Sequence, residues 1–465
     1  MVFSSPIFLF YFLPAVLVLH FLLKNNSLRN IFLLLVSLMF YAWGELFYCL
    51  LMICSIVFNY YIGKRIGSLQ EKDKKTTTIL LIGVLINIGS LAYFKYSNFL
   101  FESIQSIGML TEYMMLPVHL PIGISFFTFQ SISYLVDVSN KTVKPQNNPL
   151  ELGLYISLFP QLIAGPIIRY QDIIKQIKKR SVEQDLFVSG IKKFTIGLSK
   201  KVIIADTLAP FVDNLFLMDP SEIPAGIAWL GIICYSLQIY YDFSGYSDMA
   251  IGIGRMLGFR ILENFNFPYI STSIKEFWRR WHISLSTWFR DYLYIPLGGN
   301  RKSKTRTYFN LITVFFITGL WHGAGWNFII WGLFHGLFLI LERIGLDKIL
   351  NRIPKILRSI YTLFIVLVGW IFFKANTLEY GFEYLLAMFT QSSVANFKSI
   401  MDIEFFQLCI FVIALVLCYP FGQLFSKKSM IYKFGLPEIS TLLLMVFCIL
   451  QVASSSYSPF IYFRF

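Results

Sequence analysis

The chain has 465 residues, of which 56% are hydrophobic and only 14% charged, against about 25% charged in an ordinary soluble domain. That balance excludes a soluble globular protein and indicates an all-α polytopic membrane protein, one integral-membrane domain over residues 1–465. The formal net charge of +14 fits basic cytoplasmic loops against anionic membrane lipid, and no nucleic-acid partner is expected.

In chain order, apolar runs centre on residues 7–23, 31–43, 46–62, 78–94, 227–241, 310–320, 328–341, 360–373, 405–419 and 442–452. Each becomes a spanning helix once its flanks bring it to roughly 17–25 residues. Residues 120–136, 152–164 and 187–204 are weaker candidates, the last amphipathic and carrying Lys192, Lys193, Lys200 and Lys201. The total is roughly 11–13 membrane elements. The first run has neither a cationic leader nor an A-x-A cleavage site, so a retained helix is expected. The cysteines all lie in apolar runs without a CxxC pair, and no HExxH spacing occurs. Neither a disulfide frame nor a metal site is expected.

Lys24 and Arg29 follow the first run, and Lys64, Arg65, Lys72, Lys74 and Lys75 follow the third. The loops between runs two and three and between four and five hold almost no cations. Residues 301–306, 343–358 and 427–433 are basic, whereas 375–404 lean acidic. Alternation then places the basic loops in the cytoplasm and both the N-terminus and the C-terminus outside.

The middle of the chain carries polar residues at membrane depth. Residues 238–248, QIYYDFSGYSD, place Gln238, Asp242 and Asp248 beside apolar runs. Such carboxylates either line a functional cavity or belong to a solvated interfacial loop. Residues 275–300, KEFWRRWHISLSTWFRDYLYIPLGGN, are too polar for a simple span. They suit a segment lining a watery cavity, or an amphipathic helix on the cytoplasmic face. Within WRRWH, Arg279 and Arg280 are candidates for holding a phosphate or carboxylate, next to His282.

Residues 319–336, GLWHGAGWNFIIWGLFHG, set His322 between Trp321 and Gly323, with Asn327 following and glycine breaks expected at Gly325 and Gly332. A neutral imidazole here is a candidate general base, and the glycines would let backbone approach a ligand or let the helix break. His335 lies 13 residues on, about 220° round a continuous helix, so the two would not share a face. His20, His119 and His335 read as packed or interfacial. The sequence closes on FIYFRF, residues 460–465, too short to span; on composition alone it is an interfacial aromatic anchor.

Four stretches carry a family resemblance: LPIGISFFTFQSISYLVDV (120–138), LFPQLIAGPIIRY (158–170), QIYYDFSGYSDMAIGIGRMLGF through FWRRWHISLSTWFRDYLYIPLGGNR (238–301), and TGLWHGAGWNFIIWGLFHG (318–336). Over nearly its whole length the chain resembles the bacterial alginate O-acetyltransferase-like branch of the membrane-bound O-acyltransferase family, which includes peptidoglycan O-acetyltransferases. The resemblance implies a ring of transmembrane and re-entrant helices around a thinned centre, in the bacterial cytoplasmic (inner) membrane. Residues 238–336 would then be the catalytic core, with His322 the essential histidine and His282 the second recurrent polar position. Trp321, Asn327, Asp242, Arg279 and Arg280 become candidates for contacting substrate or donor. The resemblance further implies no bound cofactor, an acyl thioester such as acetyl-CoA as co-substrate, and an exported SGNH-type O-acetyltransferase as partner. The tail 457–465 matches a related F-x-Y-x-x-F signature through Phe460, Tyr462 and Phe465, which makes Tyr462 a candidate acyl carrier. The rival expectation is a transporter or flippase for a lipid-linked glycan, and a third is a scaffold for a secreted-glycan complex. The absence of matching halves by eye speaks against an inverted-repeat transporter.

Overall fold

The structure, a computed structural model, describes residues 2–69, 74–108, 117–390, 405–420, 436–454 and Phe460. Among these every regular element is helical. The chain divides into two compact units, Met1–Phe194 with Met249–Leu262, and Thr195–Asp248 with Glu263–Phe465.

In the first unit a π turn, Phe8–Phe12, runs into α1 (Leu13–Leu22), followed by α2 (Asn26–Ala42), α3 (Tyr48–Ser68) and α4 (Lys74–Ser106). The side chain of Asn25 caps α2 by accepting from the Ser27 N–H at 2.7 Å, satisfying one of the donors that a helix start leaves open. Only 17% of the most apolar window of α4 is buried, so most of that helix presents its side chains to lipid. Inside, Asn59 of α3 and Asn87 of α4 exchange amide hydrogen bonds at 3.1 and 2.9 Å, a pairing that satisfies two polar side chains away from water.

α5 (Ile124–Ser139) is buried along nearly its whole length. The single span expected at 152–164 is instead two pieces, α6 (Pro149–Ser157) and α7 (Phe159–Leu162). Leu158 leaves the helical region (φ −52°, ψ 112°), and Pro160, which has no N–H and would clash with a preceding carbonyl, falls in the first turn of α7. The sequence reading also omits α8 (Tyr170–Lys178), which buries Tyr170, Ile173 and Ile177 on one face. After α8, the Arg180 guanidinium donates to Asn30 Oδ1 at 2.6 Å and to the Leu257 carbonyl at 3.2 Å. α9 (Gln184–Ser199) starts in this unit and continues into the second.

The second unit continues through a π turn, Lys200–Ala205, to α10 (Asp206–Leu215) and α11 (Ala225–Met256), which passes into the first unit after Asp248. Two short helices follow, α12 (Ile274–Arg280) and α13 (Ile283–Phe289), and then α14 (Lys304–His322) and α15 (Trp326–Leu341). A short α16 (Asp347–Leu350) leads to α17 (Lys355–Lys374), α18 (Leu378–Ala387), α19 (Phe405–Leu417) and α20 (Leu436–Ser454).

Among the described residues, Tyr48–Ser68, Lys74–Ser106, Trp326–Leu350 and Lys355–Lys374 are long and apolar enough to cross a bilayer, and Phe8–Leu22, Asn26–Ala42, Phe405–Leu417 and Glu438–Ser454 are shorter apolar helices. α11 is 32 residues long, roughly 48 Å, although its QIYYDFSGYSD stretch lowers its hydropathy. The chain is an all-α polytopic membrane protein.

Candidate active site

The second unit builds its polar centre on the α14–α15 hairpin. A Cβ added at Gly319 would meet the Phe328 carbonyl, and one at Gly332 would meet the Phe315 carbonyl. The two helices therefore touch backbone to backbone, a contact that only glycine permits. Gly332 lies inside α15 and makes this contact without breaking the helix, contrary to the expected break there. The break comes earlier. α14 ends on His322, Gly323 and Gly325 are extended (φ −162° and −168°), and α15 begins at Trp326.

His322 is buried, 2% exposed, at that break. Its ring stands 4.9 Å from Trp321, 4.9 Å from Trp331 and 5.2 Å from Phe373. Trp331 in turn lies 5.2 Å from His335. His322 and His335 are not on one continuous helix, the condition under which they would face apart: the break puts them on α14 and α15, and both pack on Trp331. His335 is fully enclosed, with Trp278 at 5.3 Å and Phe277 at 6.3 Å.

His282 completes the row. Its ring is 6.0 Å from Trp321, so Trp321 has His322 and His282 as ring neighbours. His282 is 0% exposed and adopts left-handed backbone geometry (φ 44°, ψ 55°) between α12 and α13. That turn reverses direction sharply enough to send Trp281 and His282 inward while Lys275, Arg279 and Arg290 stay exposed. α12 is anchored from outside: Glu342, 5% exposed, accepts from the Ile274 N–H at 2.6 Å and the Lys275 N–H at 3.2 Å. Residues 275–300 thus bury one face around His282 and expose Lys275, Arg279 and Arg290 on the other.

A family model described as MBOAT, membrane-bound O-acyltransferase family, matches residues 32–381. The chain is 47% identical over 395 residues to the protein named "Probable alginate O-acetylase AlgI" of Pseudomonas aeruginosa, covering 84% of this chain and 75% of that one. It is 40% identical to the protein of the same name from Azotobacter vinelandii, with both chains covered completely. It is 36% identical to the "Peptidoglycan O-acetyltransferase" of Helicobacter pylori, covering 100% of this chain and 98% of that one. This chain belongs to the membrane-bound O-acyltransferase family. It is a membrane O-acyltransferase, and the glycan-transporter expectation gives way to that membership.

The acyltransferase arranges the remaining sequence candidates as follows. QIYYDFSGYSD is mid-helix in α11 and its carboxylates are buried, which removes the interfacial-loop alternative. Asp242 lies 2.9 Å from Lys201 Nζ, which also meets Asp206 at 2.7 Å; Asp248 takes Lys200 at 2.7 Å. The amide of Asn327 donates to the carbonyls of Phe372 at 3.3 Å and Ala375 at 2.8 Å, tying the start of α15 to the end of α17. The two arginines separate: Arg280 pairs with Glu276 at 2.9 Å and donates to the Asn266 carbonyl at 3.0 Å, whereas Arg279 borders a cleft of about 240 Å³. Lys275, Arg279 and Arg290 border that cleft, and Leu311, Val314, Phe315 and Thr318 form an apolar stripe along α14 inside it.

In the tail, Phe460 is 1% exposed and stacks on Tyr246 at 4.5 Å, with Phe243 at 6.4 Å. Phe243 is edge-on to His282 at 4.7 Å. Tyr462 and Phe465 lie outside the described residues. Trp331, Asn264 and Glu342 were not singled out from the sequence. Trp331 was one tryptophan among several in an apolar run, and the other two act on residues distant along the chain.

Proposed function

We propose that this acyltransferase relays an acetyl group from a cytoplasmic thioester of the acetyl-CoA type to an exported SGNH-type transferase, which O-acetylates an extracytoplasmic polysaccharide. The observation that carries the reading is His322, buried among aromatic rings at the broken end of α14, in the position the family resemblance assigns to the essential histidine. The names of the relatives support acetyl as the group and alginate or peptidoglycan as the class of acceptor.

The chemistry follows from the groups present. The cleft runs along α14 from its basic end, where Lys275, Arg279 and Arg290 suit the phosphates of a thioester donor. His322 takes the proton of an attacking hydroxyl, a role worth roughly 10²–10⁴ in rate. The hydroxyl oxygen bonds to the thioester carbonyl carbon, the C–S bond breaks, and the thiolate leaves with the proton returned by the imidazolium. Tyr462 is the proposed hydroxyl. Its phenol, with an ordinary pKa of about 10, needs such a base at neutral pH. The resulting phenyl ester is reactive enough to pass its acetyl group to a serine of the partner, so that two modest steps replace one difficult one. The protein lies in the cytoplasmic (inner) membrane with both termini outside, which puts the tail on the partner's side.

The test uses membranes containing the full chain and a donor labelled in its acetyl group. His322→Ala is expected to abolish transfer in a folded protein, and acceptor acylation near the wild-type level in that variant would remove the catalytic assignment. Tyr462→Phe is expected to remove label from the protein itself. Undiminished labelling and acceptor modification would end the carrier role and leave the acyltransferase reading standing.

A further inference from the structure

His282 has a local hydrogen-bond pattern that fixes its chemistry. Asn264, 1% exposed, approaches the 282–284 turn from the loop after the first unit's Met249–Leu262 segment. Its backbone carbonyl accepts from the Ile283 N–H at 2.9 Å. Its side-chain Oδ1 lies 3.1 Å from the Ser284 N–H, 2.9 Å from Ser284 Oγ and 3.2 Å from His282 Nδ1. A backbone N–H can only donate, so the Asn264 atom facing this turn is the oxygen and the amide nitrogen points away. The amide nitrogen has its own acceptor there, Ser247 Oγ at 3.1 Å. Ser284 Oγ also lies 3.5 Å from Nδ1, but its one proton is donated to Oδ1 at 2.9 Å, so both neighbours of Nδ1 accept and the proton of a neutral His282 is on Nδ1. Nε2 is then the bare lone pair, and it is buried with no hydrogen-bond partner among the described residues.

We propose that Asn264 is a positioning residue that holds His282 in the Nδ1–H tautomer, so that Nε2 serves as a hydrogen-bond acceptor for the acyl-accepting hydroxyl. The inference rests on the proposed reading of this cluster as the acyl-transfer site. The environment is consistent with a neutral acceptor. Phe243, Phe265 and Trp321 surround the ring at 4.7, 6.5 and 6.0 Å, and burial lowers the imidazole to about 3. The titratable and charged groups on the packed elements are His322 beyond Trp321 on α14; Tyr240, Tyr246, Asp242 and Asp248 on α11, the two carboxylates each held by a lysine; the exposed Glu263 beside Asn264; and Arg279 and Arg280 on α12, the latter paired with Glu276. Phe460 of the tail is one ring removed, through Phe243. No proton crosses to Asn264: the amide orients the ring and stays neutral throughout.

Asn264→Asp separates this role from a structural one, because a carboxylate keeps the side-chain acceptor for His282 and Ser284, leaves the backbone carbonyl that accepts from Ile283 in place, and can accept from Ser247. The charge changes, and with it the direction of the Ser247 hydrogen bond, which the Ser247 hydroxyl then donates. A negative charge on Nδ1–H favours the imidazolium, in which Nε2 becomes a donor and ceases to accept. The acid limb of the acetyl-transfer rate against pH is therefore expected to move to higher pH by about one to three units in Asn264→Asp, with activity retained above it. Asn264→Ala, which frees the tautomer, is expected to lower transfer roughly tenfold or more at every pH. Rates are compared in detergent-purified full chain, with the unfolding midpoint of each variant measured alongside. His282→Asn, chosen because asparagine tolerates left-handed geometry, is the reference. In that background Asn264→Asp is expected to have no further effect. An unmoved acid limb in folded Asn264→Asp, or a loss of activity at all pH values, overturns the role of Asn264. Full transfer in both His322→Ala and His282→Asn would overturn the site reading instead.

Discussion

His322 stood out in the sequence as an imidazole between apolar runs beside Trp321 and Gly323, and His282 through its place in the WRRWH stretch that carries the family resemblance. Asn264 was not legible, since its effect passes through a turn formed by distant residues and leaves no periodicity. Asp242 occupies a middle position. Its depth was readable, but its partner was not, because Lys201 comes from a different helix, on a π turn packed against α11. The Lys201 side chain is 4% exposed and that of Asp242 3%. Removing one member of such a pair leaves a charge buried without compensation and costs about 3–5 kcal/mol, whereas replacing both by apolar groups is often close to neutral. Lys201→Met is therefore expected to lower the thermal midpoint sharply, and Lys201→Met with Asp242→Leu to recover much of it, as measured by fluorescence-detected unfolding in detergent. A double variant no more stable than the single one would show that the pair is not the source of the loss.

The elements were readable where hydrophobic length alone decides them, as in α3 and α4. They were misread where one residue interrupts an apolar run, as Pro160 does between α6 and α7, or where the helix is short and lies on the surface, as α8 does. The glycines of α14 and α15 show a further limit. From sequence, Gly332 was another break near a ligand; in the fold it is the contact point of two helices, and only the position of Phe315 on the partner helix reveals that. Gly332→Leu inserts a side chain where the Phe315 carbonyl already lies, so α14 and α15 must separate, at about 1–3 kcal/mol or more. That separation shifts Trp331 against His322, and acetyl transfer is expected to fall at least roughly tenfold, because small misplacements of a catalytic group are costly. Gly89 of α4 has nothing within 4 Å of an added Cβ, so Gly89→Ala is expected to leave transfer unchanged. Equal loss in both variants would trace the effect to general helix damage.

At the scale of the whole molecule, the sequence supplied the membrane class and a sidedness, because cation-rich loops alternate with cation-poor ones. The same alternation assigns the ends of the helices around the site. The basic residues 301–306 lie at the start of α14 and the basic stretch 343–358 follows α15, so in the proposed orientation both of those ends are cytoplasmic and the 323–325 break faces the other way. Asn327, at the start of α15, bonds to Ala375 at the end of α17, which agrees with those two ends lying at one level. α14 has 19 residues, roughly 28 Å, so a donor entering at its basic end must travel along its apolar stripe to reach His322. The tail would then meet His322 from the opposite side, the division of labour that a relay requires. Alkaline phosphatase inserted after Gly44 or after Thr377 is expected to be active, and inserted after Leu69 or Lys302 inactive; green fluorescent protein should give the reverse pattern. An active phosphatase after Lys302 would invert α14 and place His322 on the donor's own side. Acetyl would then need no carrier to reach it, and the Tyr462 relay would lose its geometric reason.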